Sequence, residues 1–175
     1  TFADANSSTT TVTVSQDLNL TANFLGTTHQ LNLSAGTGGA ATGSGSYSYG
    51  STAQISATPS TGYSFEKWDG NLTFANPFSA TTTVTVTQDA NLSASFSLQS
   101  YSLSTVVSGQ GFATGAGTYS HGSQATLTAN PVIGHIFTGW SGAGIADSNE
   151  STISLTITQD LNATASFAPL QSTLN

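Results

Sequence analysis

The chain has 175 residues, of which 5% are charged, and its single Lys or Arg stands against eight acidic residues for a net charge of -7. This scarcity of cations leaves no positive surface for phosphate backbones or anionic lipids, so nucleic acid is excluded as an expected partner. No apolar run reaches the length of a membrane span and there is no cysteine, which excludes membrane insertion of this segment, disulfides and thiolate metal sites.

One stretch of sequence recurs three times along the chain: TVTVSQDLNLTANF at 11–24, TVTVTQDANLSASF at 83–96 and SLTITQDLNATASF at 154–167. The closing phenylalanines are 72 and 71 residues apart, a period that indicates a tandem array of small modules. Each copy alternates apolar and hydroxyl residues on both sides of Gln-Asp-x-Asn. This pattern predicts two antiparallel strands joined by a turn, and hence a hairpin that closes each module.

The repeat divides the chain into four predicted segments. Residues 1–24 hold only the C-terminal hairpin of a preceding, incomplete module, residues 25–96 and 97–168 are two complete modules, and residues 169–175 begin a following one. A two-stranded hairpin is marginally stable alone in water, so the first segment needs partner strands that it does not supply. We expect upstream residues of the same polypeptide, or a neighbouring copy in a fibre, to cover its apolar face.

Within each complete module the elements follow one order. A linker of about six residues precedes the first strand, and a Gly-rich run at 36–50 or 109–122 then predicts tight turns and a short strand. The next strand ends at Pro59 or Pro131, since proline cannot donate to a ladder, and an aromatic strand follows. No stretch shows helical periodicity with caps, so each module is predicted to be all-β with about six short strands.

Aromatic residues recur at matching positions of the repeats, and this recurrence assigns them to the module cores. Trp68 and Trp140 could instead form platforms on which sugar rings stack, but their recurrence beside Phe65 and Phe137 favours a core role. The predicted structural core set is Phe24, Phe65, Trp68, Phe96, Phe137, Trp140 and Phe167.

The three histidines do not recur as a set. His29 aligns with Tyr101, His121 with Tyr49, and His135 with a third tyrosine. Interchange with tyrosine indicates half-buried amphipathic positions and argues against metal ligands.

Residues that could carry catalysis or bind metal form no repeated constellation. The pentapeptide GWSGA at 139–143 approaches a nucleophile elbow, but it lacks the final glycine and the matching module has Asp69 in place of the serine. Asp17, Asp89 and Asp160 supply one carboxylate per turn, which is too few for calcium with its roughly six to eight oxygen ligands. We therefore predict no enzyme activity, no cofactor and no metal site, and we assign these aspartates to the turns.

Several N-x-[ST] sequons occur in the chain, and three of them lie at the predicted hairpin turns. Exposed turns can accommodate a glycan. The candidate glycosylation sites are Asn19, Asn91 and Asn162.

Four motifs occur in the same order in both complete modules. They are G-x-Y-x-x-G at 45–50 and 117–122, a strand ending A-x-P at 57–59 and 129–131, G-[YH]-x-F-x-x-W-x-G at 62–70 and 134–142, and a terminal A-x-F. This combined pattern resembles the divergent internalin-type B repeats of bacterial surface and secreted proteins. The resemblance implies compact, β-rich, β-grasp-like modules, here of 71–72 residues, strung in an elongated array.

We therefore expect a structural repeat segment of a bacterial protein that is secreted or displayed at the cell surface. It would act as an adhesin stalk or as the building unit of a fibre or filament. Its expected partners are neighbouring repeats of the same protein, or copies of itself head-to-tail, with a host or surface glycan as a further candidate. The alternative is a carbohydrate-binding accessory module of a secreted enzyme.

Overall fold

A computed structural model describes residues 3–146 and 148–171 of the chain. All its regular secondary structure over these residues is β-strand, arranged as two similar modules in tandem. The predicted fold class, an all-β chain of tandem β-rich modules, is confirmed. Within the same residues, no helix has the length and apolar character needed to cross a membrane.

Each module contains seven strands. Those of module 1 are β1 (Thr28–Ala35), β2 (Gly39–Thr42), β3 (Gly45–Ser48), β4 (Ser51–Pro59), β5 (Tyr63–Gly70), β6 (Thr81–Val86) and β7 (Ala90–Leu98). Those of module 2 are β8 (Ser100–Ser108), β9 (Gly111–Thr114), β10 (Gly117–Ser120), β11 (Gln124–Pro131), β12 (His135–Ser141), β13 (Thr152–Thr156) and β14 (Leu161–Pro169). The prediction of six missed β2 and its counterpart β9, because these short Gly- and Ala-containing strands lack an alternating row of large apolar residues.

Two sheets enclose the core of each module. A four-stranded sheet has the order β3-β1-β7-β5 and a three-stranded sheet the order β2-β4-β6, and module 2 repeats both as β10-β8-β14-β12 and β9-β11-β13. The first and last strands of a module, β1 and β7, lie side by side in parallel. Leu31 of the larger sheet and Ile55 of the smaller one belong to the same buried cluster, and module 2 has its own separate cluster.

The repeated Gln-Asp-x-Asn sequence does not form the predicted hairpin. Strand β6 pairs with β4 in the smaller sheet, whereas β7 lies between β1 and β5 in the larger one. The chain therefore crosses from one sheet to the other at this corner. The prediction was wrong because alternation fixes only which side chains face inward. Val84, Val86 and Leu92 are buried as the pattern requires, although their strands face each other across the core instead of pairing.

Residues 11–24 carry the same pattern but form neither a hairpin nor any strand. Strand β7 is held by β1 and β5, and β6 by β4, whereas residues 11–24 have no counterparts of these strands beside them. Their apolar side chains are consequently exposed, and Phe24 is 92% accessible. The predicted need for a covering partner stays a prediction.

The predicted linker of about six residues between the modules is also wrong. Strand β7 continues to Leu98 and β8 begins at Ser100, so Gln99 alone separates them. The Ser-rich stretch resembles a linker in composition, but backbone pairing extends both strands through it. Ser97 pairs with Ser64 on one side and Ser100 with Ser120 on the other.

A buried and an exposed apolar residue of module 1 test this core assignment. Leu31 is fully buried, whereas Phe78 is 73% exposed. We expect Leu31→Ala to lower the free energy of unfolding by about 2–5 kcal/mol through cavity formation, and Phe78→Ala to change it by about 0.5 kcal/mol or less. Urea unfolding followed by Trp68 fluorescence in a Trp140→Phe background measures module 1. Equal losses of unfolding free energy in the two variants would contradict the assignment of Leu31 to the core.

Candidate functional site

The aspartate at each sheet-crossing corner holds the first strand of its module. Asp89 Oδ1 accepts the backbone N–H of Gln30 at 2.9 Å and lies 3.3 Å from His29 Nδ1. Asp160 Oδ1 accepts the backbone N–H of Ser102 at 2.7 Å. The aspartates therefore connect strands 59 and 58 residues apart in sequence. Across residues 3–146 and 148–171, no three His, Asp or Glu side chains are grouped to hold a metal ion.

The candidate glycosylation sites beside these corners are exposed. Asn91 and Asn162 follow the corner as the second residue of the last strand, and Asn19 lies in the segment that forms no strand. The Asn91 side-chain oxygen accepts a hydrogen bond from Asn32 at 3.2 Å. Glycosylation at the three positions stays a prediction.

The two tryptophans are buried and lie against phenylalanines. Trp68 is 2% exposed and its ring centroid is 5.8 Å from that of Phe65, which in turn lies 6.0 Å from Phe96. In module 2 the same three positions are Phe137, Trp140 and Phe167, with both centroid distances 5.6 Å. Phe24 is the exception, because it is exposed and joins neither core. Neither indole ring offers an exposed face on which a sugar could stack.

The tryptophans differ in hydrogen bonding although their surrounding motifs match. Trp68 Nε1 donates to the carbonyl of Ser79 at 3.1 Å, and this acceptor lies in the variable loop before β6. Trp140 Nε1 is buried without a hydrogen-bond partner among the described residues. The corresponding loop of module 2 has a different sequence, and its described residues supply no acceptor for the Trp140 N–H.

A joint made of three residues connects the two modules. The backbone N–H of Gln99 donates to the carbonyl of Gly62 in module 1, and its carbonyl accepts the N–H of His121 in module 2, both at 2.8 Å. The single connecting residue is therefore fixed on both sides. We use the term joint for Gln99, Gly62 and His121.

The His121 ring packs directly on the backbone of Gly62. A Cβ added at Gly62 would overlap this ring, and the glycine has φ of +80°, a conformation that side chains disfavour. The ring also forms a tilted pair with Tyr101, at a centroid distance of 5.9 Å. All three histidines, His29, His121 and His135, are half-buried, which matches the interpretation of their interchange with tyrosine.

Sequence reasoning did not identify this joint. The signals available were the recurring glycine at 62 and 134 and the exchange of His121 with Tyr49. Neither shows that the glycine of one module contacts the aromatic residue of the next, because a repeat period describes positions within a module and not contacts between modules.

Comparison with known proteins gives one result. Residues 29–100 and 101–171 each match the model of a family described as Divergent InlB B-repeat domain. No curated protein and no solved structure matches the chain. The boundary between the two matched segments lies next to Gln99, in agreement with the position of the joint.

The corner carboxylate makes the stability of module 1 depend on pH. The pKa of Asp89 is lowered from its ordinary value of 3.8, first because the carboxylate accepts the Gln30 N–H and then because it accepts a hydrogen bond from His29. The stabilisation is therefore complete above the unfolded pKa and is lost as the pH falls through the lower folded pKa. As the pH is lowered from about 5 to about 3, we expect the urea midpoint of module 1 to fall less in Asp89→Asn than in the unsubstituted chain. Glu66→Gln, which replaces an exposed carboxylate of the same module, is the control and should keep the decrease. An undiminished decrease in Asp89→Asn would contradict the role of Asp89.

The unequal tryptophans give a second prediction for this site. Trp68→Phe removes a hydrogen bond and leaves the Ser79 carbonyl unpaired, whereas Trp140→Phe removes a donor with no partner in residues 3–146 and 148–171. We expect Trp68→Phe to be the more destabilising of the two by about 1–3 kcal/mol. Hydrogen exchange of peptides from each module measures both variants without a tryptophan signal. Equal destabilisation would show that the Trp68 hydrogen bond contributes nothing.

Proposed function

The chain belongs to the divergent InlB B-repeat family, and we propose on this basis that it is a structural segment of a bacterial cell-surface or extracellular protein. Its two modules act as a spacer of fixed length, either in the stalk of an adhesin or as the unit of a fibre. Neighbouring repeats or copies of itself, arranged head-to-tail, are its partners. No catalytic role is proposed.

The joint is the observation that supports a spacer best. A linker of several unpaired residues would let two modules reorient, whereas Gln99 is hydrogen-bonded to both modules and the His121 ring lies on Gly62. In a tandem array each module contacts only its neighbours, so the joints determine how well a distance is kept. Fixing a single residue leaves little rotational freedom between the modules.

The surface composition also suits an exposed structural segment. The strands of both three-stranded sheets contain no Asp, Glu, Lys or Arg, and their outward positions are mainly Thr, Ser and Gln. Such neutral faces give little electrostatic attraction to charged receptors or polyanions. They support a role in holding other parts of a protein rather than in binding a charged ligand.

The carbohydrate-binding alternative receives less support. Sugar recognition by stacking needs an aromatic face open to solvent, and Trp68 and Trp140 are both buried. Binding of a host or surface glycan by other residues has no observation in its favour among the described parts of the chain.

Two glycine substitutions test the spacer. Gly62 and Gly134 occupy the same turn in the two modules with φ of +80° and +83°, so alanine should cost each turn about 1–2 kcal/mol. Only at Gly62 would the new Cβ also displace the His121 ring. We expect Gly62→Ala, and not Gly134→Ala, to broaden the distribution of distances between the two modules.

Spin labels on cysteines introduced at Thr85 and Thr126 measure this distribution, since both residues are exposed and the chain has no cysteine of its own. The unsubstituted chain should give a narrow distance distribution, and Gly134→Ala should keep it. A broad distribution in the unsubstituted chain would refute the spacer, because the joint would then not fix the modules.

A further inference from the structure

Module 2 presents an uncovered counterpart of the Gly62 side of the joint. Gly134 occupies the same turn as Gly62, and its carbonyl accepts the backbone N–H of Leu170 at 2.8 Å, as the Gly62 carbonyl accepts that of Gln99. Apart from Gly134 itself and its two chain neighbours, no described residue has a heavy atom within 4 Å of a Cβ built at this position. The backbone arrangement of the joint is therefore present here, without an aromatic ring over the glycine.

Module 1 presents an uncovered counterpart of the His121 side. Tyr49 corresponds to His121, and its backbone N–H donates to the carbonyl of Thr27 at 2.8 Å, as that of His121 donates to Gln99. The Tyr49 ring forms a tilted pair with His29 at 6.0 Å, as His121 does with Tyr101. Tyr49 is 65% exposed, whereas His121 is half-buried against Gly62.

The surface around Gly134 is more apolar than the surface around Gly62. Ile133 is fully exposed and Leu170 largely so, and Val132 beside them is partly exposed. The corresponding residues next to Gly62 are Ser60, Thr61 and Gln99. Covering these side chains would remove apolar area from water, which favours association at this end of module 2.

We propose that the Gly134 surface of module 2 is the docking site for a second copy of the chain joined in tandem, with Thr28 of the second copy following Leu170 of the first. The Tyr49 ring of the second copy then lies over Gly134 as His121 lies over Gly62. The inference rests on the proposed function and identifies the contact through which successive copies would join. Its support is continuity with the joint, because each surface reproduces one half of an interface that the chain already forms once. Such a contact is heterologous, so it repeats along one direction and extends an array.

A head-to-tail fusion of two copies tests the contact. In the joint Gln99 is followed by Ser100, and by alignment the corresponding fusion is residues 1–170 followed directly by residues 28–171. Labels at Thr126 of the first copy and Thr85 of the second measure distances across the new contact. Labels at Thr85 and Thr126 of the first copy measure the internal joint.

We expect the distribution across the new contact to be as narrow as that across the internal joint. Tyr49→Ser in the second copy should broaden it, because serine cannot cover Gly134, while Tyr49→Phe should keep it narrow. The matched control is Tyr49→Ser in the first copy, where the substitution should leave both distributions unchanged.

The outcomes separate this inference from the proposed function. A broad distribution across the new contact beside a narrow internal joint would refute the docking alone. Broad distributions at both places would refute the fixed-length spacer as well. A new contact that stays narrow with Tyr49→Ser in the second copy would overturn the role of the ring.

Discussion

Parallel pairing of the first and last strands determines where the chain enters and leaves each module, and hence how modules can be joined in an array. Leu31 pairs with Ala90 and Ala35 with Ala94, so β1 and β7 run side by side in the same direction. The start of β1 and the end of β7 consequently lie at opposite ends of the sheet, on the order of 35 Å apart at about 3.3 Å per residue. Because the chain enters at one end and leaves at the other, a single residue can connect successive modules in line.

Much of this architecture follows from the sequence, and its failures have one physical cause. The period, the all-β class and the inward faces of Val84 and Leu92 could be predicted, because alternation reports which side of a strand is apolar. Pairing partners could not, since two strands that pair and two strands that face each other across a core show the same alternation. This ambiguity caused the wrong prediction of a hairpin at residues 83–96. The wrong prediction of a six-residue linker arose because the Ser-rich end of β7 and start of β8 resemble a linker in composition.

The candidate site was less predictable than the fold because its contacts come from segments that the repeat does not describe. Trp68 and Trp140 share their motif, yet the acceptor for the Trp68 N–H comes from a loop that differs between modules. Gly62 meets His121 only because β7 and β8 are separated by one residue. Asp89 and Asp160 were assigned to hairpin turns, whereas they lie where the chain crosses between sheets. Their bonds to β1 and β8 required the parallel pairing that the sequence did not reveal.

The same parallel pairing determines how a module bears a load along the chain. A pull between the start of β1 and the end of β7 acts along both strands in opposite directions, so it shears the ladder between them. Hydrogen bonds in a parallel ladder are evenly spaced, and under shear they share the load instead of opening one after another. The ladder spans five residue pairs in module 1 and six in module 2, and it lies inside each sheet between two further strands. The joint is held by the two backbone hydrogen bonds of Gln99 and the contact of the His121 ring with Gly62. We therefore expect the joint to yield under load before either module unfolds.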